Sequence, residues 1–84
     1  MYYLYILQSQ KDKGFYIGIS SNVEIRVRDH NYGKTRSTKT RIPFVLIYKE
    51  EFNSRENARK REVELKTNYN QRKKLLASIG FNIK

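Results

Sequence analysis

Five side chains in this 84-residue sequence have types suited to phosphate and proton chemistry: Tyr5, Tyr16, Arg26, His30 and Glu62. A phenol exchanges a proton when a cation stands near it. A guanidinium offsets charge on a phosphate, an imidazole titrates near neutrality, and a carboxylate binds a hard divalent cation. Glu62 is the most informative. On a 3.6-residue helix over 54–69, Ala58, Leu65 and Tyr69 fall within about 20° of one line, with Glu62 about 40° from Ala58 at ~100° per residue. Glu62 therefore turns inward, whereas Glu56 and Glu64 point elsewhere and read as solvated carboxylates. An ionised carboxylate facing the interior needs a positive partner. Arg59 at i−3, Lys66 at i+4, a structural pair with Arg26, and a divalent cation completed by water and substrate phosphate all meet that need. The helical placement leaves these alternatives open.

The other four residues have plain readings too. Tyrosines in strands often serve as amphipathic core, an arginine on a helix is usually a surface charge, and a single histidine is usually a hydrogen-bonded bystander. Their placement nevertheless permits a cluster. Arg26 and His30 stand at i, i+4 and share one helix face. Tyr16 lies two residues before Gly18, near the end of the segment leading into that helix.

The elements that must carry these residues are short. Tyr2–Gln8 reads as a strand apolar on both alternating sets, expected to be covered on both faces. Ser9–Gly14 is a hairpin-length connection to a second, antiparallel strand, Phe15–Ile19. Ser21 with Glu24 matches a capping box, predicting a helix that stops between Asn31 and Gly33. Val23, Val27 and His30 make its packing stripe, with Ile25 left on the opposite side. Residues 33–41 form a basic polar loop with Lys34, Arg36, Lys39 and Arg41. A third strand, Phe44–Tyr48, follows Pro43. Asn53 with Glu56 caps a second helix over about 54–68. A short third helix from near Asn70 carries Leu75, Leu76 and Ile79 and ends at Gly80. The order β-β-α-β-α-α with a small, mainly antiparallel three-stranded sheet is an α+β fold, expected as one domain over 1–84.

Composition narrows the partner. Lys and Arg number 18 against 8 Asp and Glu, a net charge of +10. Residues 1–42 carry eight basic and three acidic groups and residues 43–84 ten and five, so each half nets +5. The charge belongs to the folded body, and a polyanion, above all nucleic acid, is the natural partner. The absence of cysteine excludes disulfides, thiolate zinc sites and cysteine nucleophiles, and the one histidine excludes multi-histidine metal sites. No apolar run approaches the roughly 20 residues needed to cross a bilayer. A soluble, cytoplasmic protein without a membrane partner is expected.

The ordered set Leu4-Tyr5-Ile6, Tyr16-Ile17-Gly18, Arg26, Asp29-His30-Asn31 with Gly33, Arg41-x-Pro43 and Ala58-Arg59-Lys60-Arg61-Glu62 resembles the GIY-YIG nuclease domain. It is most similar to small single-domain members related to the nuclease module of the bacterial excinuclease. The match runs from Tyr3 to about Leu76. It departs at Leu4, where the family name has Gly, and the family's downstream Asn falls on either Asn68 or Asn70. The resemblance implies a metal-dependent endonuclease hydrolysing DNA phosphodiester bonds, with structure selectivity or DNA repair as its setting. It implies that Glu62 binds a single Mg²⁺ or Mn²⁺ and that Arg26 contacts the scissile phosphate. Tyr5 and Tyr16 would orient phosphate and attacking water, one of them serving as general base, and His30 would assist proton transfer. Lys34, Arg36, Lys39, Arg41, Lys73 and Lys74 would grip the DNA backbone. Branched, damaged or single-stranded DNA is the expected substrate, with selectivity borrowed from a protein partner or a second copy of the chain. The alternative is a nucleic-acid-binding module that keeps the fold without turnover.

Overall fold

The computed structural model describes residues 1–81; residues 82–84, the end of the expected domain, lie outside the described residues. The chain forms β1 (Tyr2–Ser9), β2 (Phe15–Ser20), α1 (Val23–Asn31), a single 3₁₀ turn (Lys39–Arg41), β3 (Phe44–Phe52), α2 (Arg55–Thr67) and α3 (Tyr69–Ser78). The sheet has the order β2-β1-β3 with both pairings antiparallel. This is the expected α+β architecture in the expected order.

The central strand explains its own composition. Leu4, Tyr5, Ile6 and Leu7 are all buried, because side chains on both faces of β1 are covered. On one face Leu4 opposes Ile19 and Ile6 opposes Ile17, and these residues pack against Leu65 of α2 and Leu76 of α3. Each fully buried aliphatic side chain there contributes about 1.5–3 kcal/mol, which makes this face the main adhesive of the domain. On the other face Tyr5 opposes Gly18 and Leu7 opposes Tyr16, and α1 packs over them with Val23 and His30 buried. Val27 is half-buried on the same stripe, and Ile25 is exposed on the opposite side.

The boundaries correct several expectations. Asn22, not Ser21, caps α1: its Oδ1 accepts from the Ile25 amide at 3.1 Å. β2 runs on to Ser20, whose hydroxyl is engaged with the Asn22 backbone, so the chain enters the helix one residue late. Glu24 thereby loses the capping-box position and pairs with Lys49 of β3. Ser54, not Asn53, caps α2 through the Asn57 amide. β3 continues to Phe52 because its charged residues find partners, Glu50 with Arg61 and Tyr48. Asn68 ends α2 and caps α3, accepting from the Gln71 amide at 3.1 Å. Tyr69 therefore opens α3, exposed, rather than lying on the buried stripe of α2. Gly80 follows α3 with a positive φ of 98°, the conformation a helix-terminating glycine supplies.

Candidate active site

The site forms on the α1 face of the sheet, beginning from a glycine. The Tyr5 ring lies across its strand partner Gly18: a Cβ on Gly18 would sit 2.6 Å from the Tyr5 hydroxyl oxygen and 2.7 Å from Cζ. Only a residue without a side chain admits the phenol there. Tyr5 is 1% exposed, and its hydroxyl lies 3.2 Å from His30 Nε2. His30 is fully buried, and its other nitrogen, Nδ1, lies 2.8 Å from the hydroxyl of Thr38, itself buried.

Burial perturbs both rings. It pushes the Tyr5 phenol above its ordinary 10.0, opposed by the positive Arg26 guanidinium and reinforced by Tyr16 and Glu62. Burial holds His30 below its ordinary 6.5, with the positive charge of Arg26 acting in the same direction and Asp29 against it. At neutral pH the site thus contains a neutral phenol against a neutral imidazole.

Tyr16 completes the aromatic wall, its ring centroid 4.7 Å from His30 and 6.3 Å from Tyr5. Arg26 is partly exposed and lies 3.9 Å from Asp29, a long contact that leaves its charge available to the site. Asp29 also meets Lys34 at 3.6 Å. Asn31 ties the end of α1 to the start of β3: its Nδ2 donates to the Phe44 carbonyl at 3.0 Å and its Oδ1 accepts from the Phe44 amide at 2.6 Å. The three adjacent residues Asp29, His30 and Asn31 therefore have separate tasks of charge, proton contact and anchorage.

Glu62 is 6% exposed on α2, as its position on the helical stripe predicts. Its Oε1 accepts from Arg59 at 2.9 Å and its Oε2 from Lys66 at 3.0 Å, so two of the anticipated partners are present and Arg26 is not one of them. Lys66 Nζ stands 6.0 Å from the Tyr16 ring centroid, which brings the carboxylate's partner to the aromatic wall. A cleft of about 370 Å³ opens alongside, lined by Phe15, Tyr16, Ile17, Lys66 and Arg72. Arg72 is held there by donating to the Leu65 carbonyl at 3.1 Å and the Lys66 carbonyl at 3.3 Å.

Among the described residues there is no cluster of three or more His, Cys, Asp or Glu side chains able to cage a metal. Glu62 is one buried carboxylate whose two counter-charges sit on long, mostly exposed arms. That donor set fits a hard ion such as Mg²⁺, which takes one or two carboxylates and fills its shell with water and phosphate. It does not fit Zn²⁺.

The basic residues expected to grip a polyanion divide. Lys34, Arg36 and Lys39 are exposed around the 33–40 loop, and Lys73 and Lys74 are exposed on α3. Arg41 departs from the expectation. Its Nε donates to Asp12 at 2.7 Å, its guanidinium stacks 5.6 Å from the Phe44 ring centroid, and its carbonyl accepts from the Ser9 hydroxyl. Arg41 is thus a clamp across the β1–β2 hairpin, holding Asp12 at a pKa of about 2. The sequence pattern does not single out Thr38 or Arg72: Thr38 stands in an irregular loop, and Arg72, on the stripe of Leu75, Leu76 and Ile79, gives no local sign that it will reach the Leu65 and Lys66 carbonyls. Asn68 is accounted for as a cap, and Asn70 is exposed.

Known proteins resemble this chain in sequence and in fold. Residues 1–75 match the family model described as the GIY-YIG catalytic domain. A UPF0213 protein of Staphylococcus haemolyticus is 47% identical over 73 residues, covering 86% of this chain and 88% of that one. A UPF0213 protein of Haloquadratum walsbyi is 37% identical over 83 residues, 98% of this chain and 92% of its own. The solution NMR structure of a UPF0213 protein from Bacillus halodurans superposes with a TM-score of 0.57 at 34% identity, covering 95% of this chain and 86% of that one.

Proposed function

The chain belongs to the GIY-YIG family, whose domains are generally nucleases acting on DNA, and on that basis we propose that it hydrolyses DNA phosphodiester bonds with the help of one divalent cation. The observation that carries this reading is the convergence of Tyr5, Tyr16 and His30 above Gly18, with Arg26 one turn before His30 on α1 and the buried Glu62 carboxylate linked to the aromatic wall through Lys66.

The residues divide the work. The burial that raises Tyr5 makes a stored tyrosinate unfavourable. Tyr5 therefore acts as base only by passing its own proton to neutral His30 Nε2 as it takes one from water. Arg26 offsets the charge that builds on the non-bridging oxygens, an effect whose removal costs about 10²–10³ in rate. Tyr16 orients the phosphate from the aromatic wall. Glu62 holds Mg²⁺ or Mn²⁺, with Arg59 and Lys66 swinging aside or turning to substrate phosphates. When bound, the ion supplies Lewis-acid stabilisation of the leaving oxygen. Lys66 and Arg72 extend the positive surface along the cleft, and Lys34, Arg36, Lys39, Lys73 and Lys74 add phosphate contacts that position DNA without reading its sequence. Branched, damaged or single-stranded DNA is the preferred form, with any further selectivity supplied by a protein partner or a second copy of the chain.

A second reading rests on one observation: both Glu62 oxygens are already satisfied by cations. A chain that kept those pairs permanently would bind nucleic acid and cut nothing. A cleavage panel over single-stranded, duplex, flapped and branched DNA and over RNA, with and without Mg²⁺ or Mn²⁺, separates the two. Metal-dependent cutting lost in Glu62→Gln supports the nuclease. Salt-sensitive binding with no cutting under any condition supports the binding module.

A further inference from the structure

The hydroxyl of Thr38 has no role in the chemistry described above, yet it is buried at 1% exposure and hydrogen-bonded on both sides. It lies 2.8 Å from His30 Nδ1 and 3.3 Å from the Thr35 carbonyl oxygen. We propose that Thr38 is a positioning residue that fixes the tautomer of His30, leaving the Nε2 lone pair free to accept the Tyr5 proton. This rests on the reading of Tyr5 and His30 as the proton-transfer pair.

The assignment follows from counting donors and acceptors along the chain of contacts. A neutral imidazole has one N–H and one lone pair, and which nitrogen carries which depends on what each faces. The Thr35 carbonyl can only accept, and with two lone pairs it takes the Thr38 hydroxyl proton at 3.3 Å beside the Thr38 amide at 3.1 Å. The Thr38 oxygen is then left to accept, and His30 Nδ1 must be the N–H. Nε2 becomes the bare nitrogen, facing the Tyr5 hydroxyl at 3.2 Å.

The other end gives the same direction. Tyr5 is 1% exposed, and among the described residues His30 Nε2 is the one hydrogen-bond partner of its hydroxyl. In the opposite tautomer Nε2–H would donate to the Tyr5 oxygen, and the buried Tyr5 proton would lose the His30 acceptor. One polarity satisfies every member: Tyr5 to His30, His30 to Thr38, Thr38 to the Thr35 carbonyl. In the reaction, the water proton moves to the Tyr5 oxygen and the Tyr5 proton moves to Nε2. The resulting imidazolium keeps Nδ1–H on Thr38. The 33–40 loop thus has a second task beyond carrying basic residues, because it brings Thr38 under the histidine.

The test uses the fact that His30 is the only histidine in the sequence, so ¹⁵N spectra of the full chain show a single pair of ring nitrogens. Wild type and Thr38→Ser are expected to show Nδ1 protonated and Nε2 bare at neutral pH. Thr38→Val, which keeps the side-chain shape without the hydroxyl, is expected to lose that preference. With Mg²⁺, its kcat on DNA should fall about 10- to 100-fold, the usual loss when a residue's orienting partner is removed, while KM stays near wild type and serine restores the rate. A wild-type spectrum with Nε2 protonated would overturn the proposal, as would a Thr38→Val chain with an unchanged tautomer. If the wild type cuts no DNA, the nuclease reading fails, and the two spectra still decide what Thr38 does. Should Thr38→Val not fold, Thr38→Ala, which also lacks the hydroxyl, carries the same decision.

Discussion

Gly18→Ala isolates the contact on which the site is built. The added Cβ would stand 2.6 Å from the Tyr5 hydroxyl oxygen and 2.8 Å from a ring carbon, whereas ordinary contact begins at 3.4 Å. The ring must therefore move by at least about 0.8 Å, the difference between 3.4 and 2.6 Å. Tyr5 is fully buried between Gly18 of β2, Tyr16 and His30, so the ring cannot rotate freely to do so. Overpacking of this kind costs about 1–3 kcal/mol, which for a domain of this size lowers Tm by roughly 5–20 °C. The shift also stretches the 3.2 Å contact to His30 Nε2. A displacement near 1 Å of a reacting group costs about a hundredfold in rate, so cleavage should fall by that order below the variant's Tm while DNA affinity is retained. Thermal denaturation and single-turnover cleavage measure the two effects separately. An alanine variant with wild-type Tm and wild-type cleavage would refute the placement of the phenol over Gly18.

Other outcomes follow from the same contacts. Asn31→Ala removes both hydrogen bonds to the Phe44 backbone and should cost about 1–3 kcal/mol, visible as a lower urea midpoint with m unchanged. His30 is held below its ordinary 6.5, so the unfolded chain binds a proton first as pH falls. Its contribution to stability is full above 6.5 and declines as pH falls through the lower folded value. Unfolding free energy should therefore drop further between neutral and mildly acid pH in wild type than in His30→Gln; an equal or smaller drop contradicts the burial. Arg41→Gln should let Asp12 titrate well above its value of about 2, toward 3.8, while leaving DNA affinity less affected than a Lys73→Gln/Lys74→Gln chain. Carboxylate NMR titration and salt-dependent binding check the two halves.

The inward turn of Glu62 is legible in the sequence because a 3.6-residue period is a property of the helix itself, independent of what packs against it. The shared face of Arg26 and His30 is legible for the same reason. Cap positions are less so: Ser20, Ser21 and Asn22 are all competent caps, as are Asn53 and Ser54, and the choice depends on where the preceding strand stops pairing. The charged end of β3 reads as loop until Arg61 and Glu24 are brought beside it by the fold. Arg41 resembles its basic neighbours in the loop, and nothing local reveals that Asp12, 29 positions earlier, will take its charge. Thr38 is the same case in reverse, an ordinary residue in a polar loop that gains meaning only when the loop folds back under α1. Contacts set by helical or strand period can be read from the chain, and contacts set by loop closure cannot.

Everything proposed for the chemistry depends on the buried carboxylate of α2. Single-turnover cleavage of branched and single-stranded DNA, titrated with Mg²⁺ for wild type and for Glu62→Gln, puts that dependence to the test. Wild type should show saturable metal dependence, the glutamine variant should lose cleavage by about two orders of magnitude or more, and the two should bind DNA with near-equal affinity. Equal cleavage by the two chains, or cleavage indifferent to metal, would show that Glu62 holds no catalytic ion.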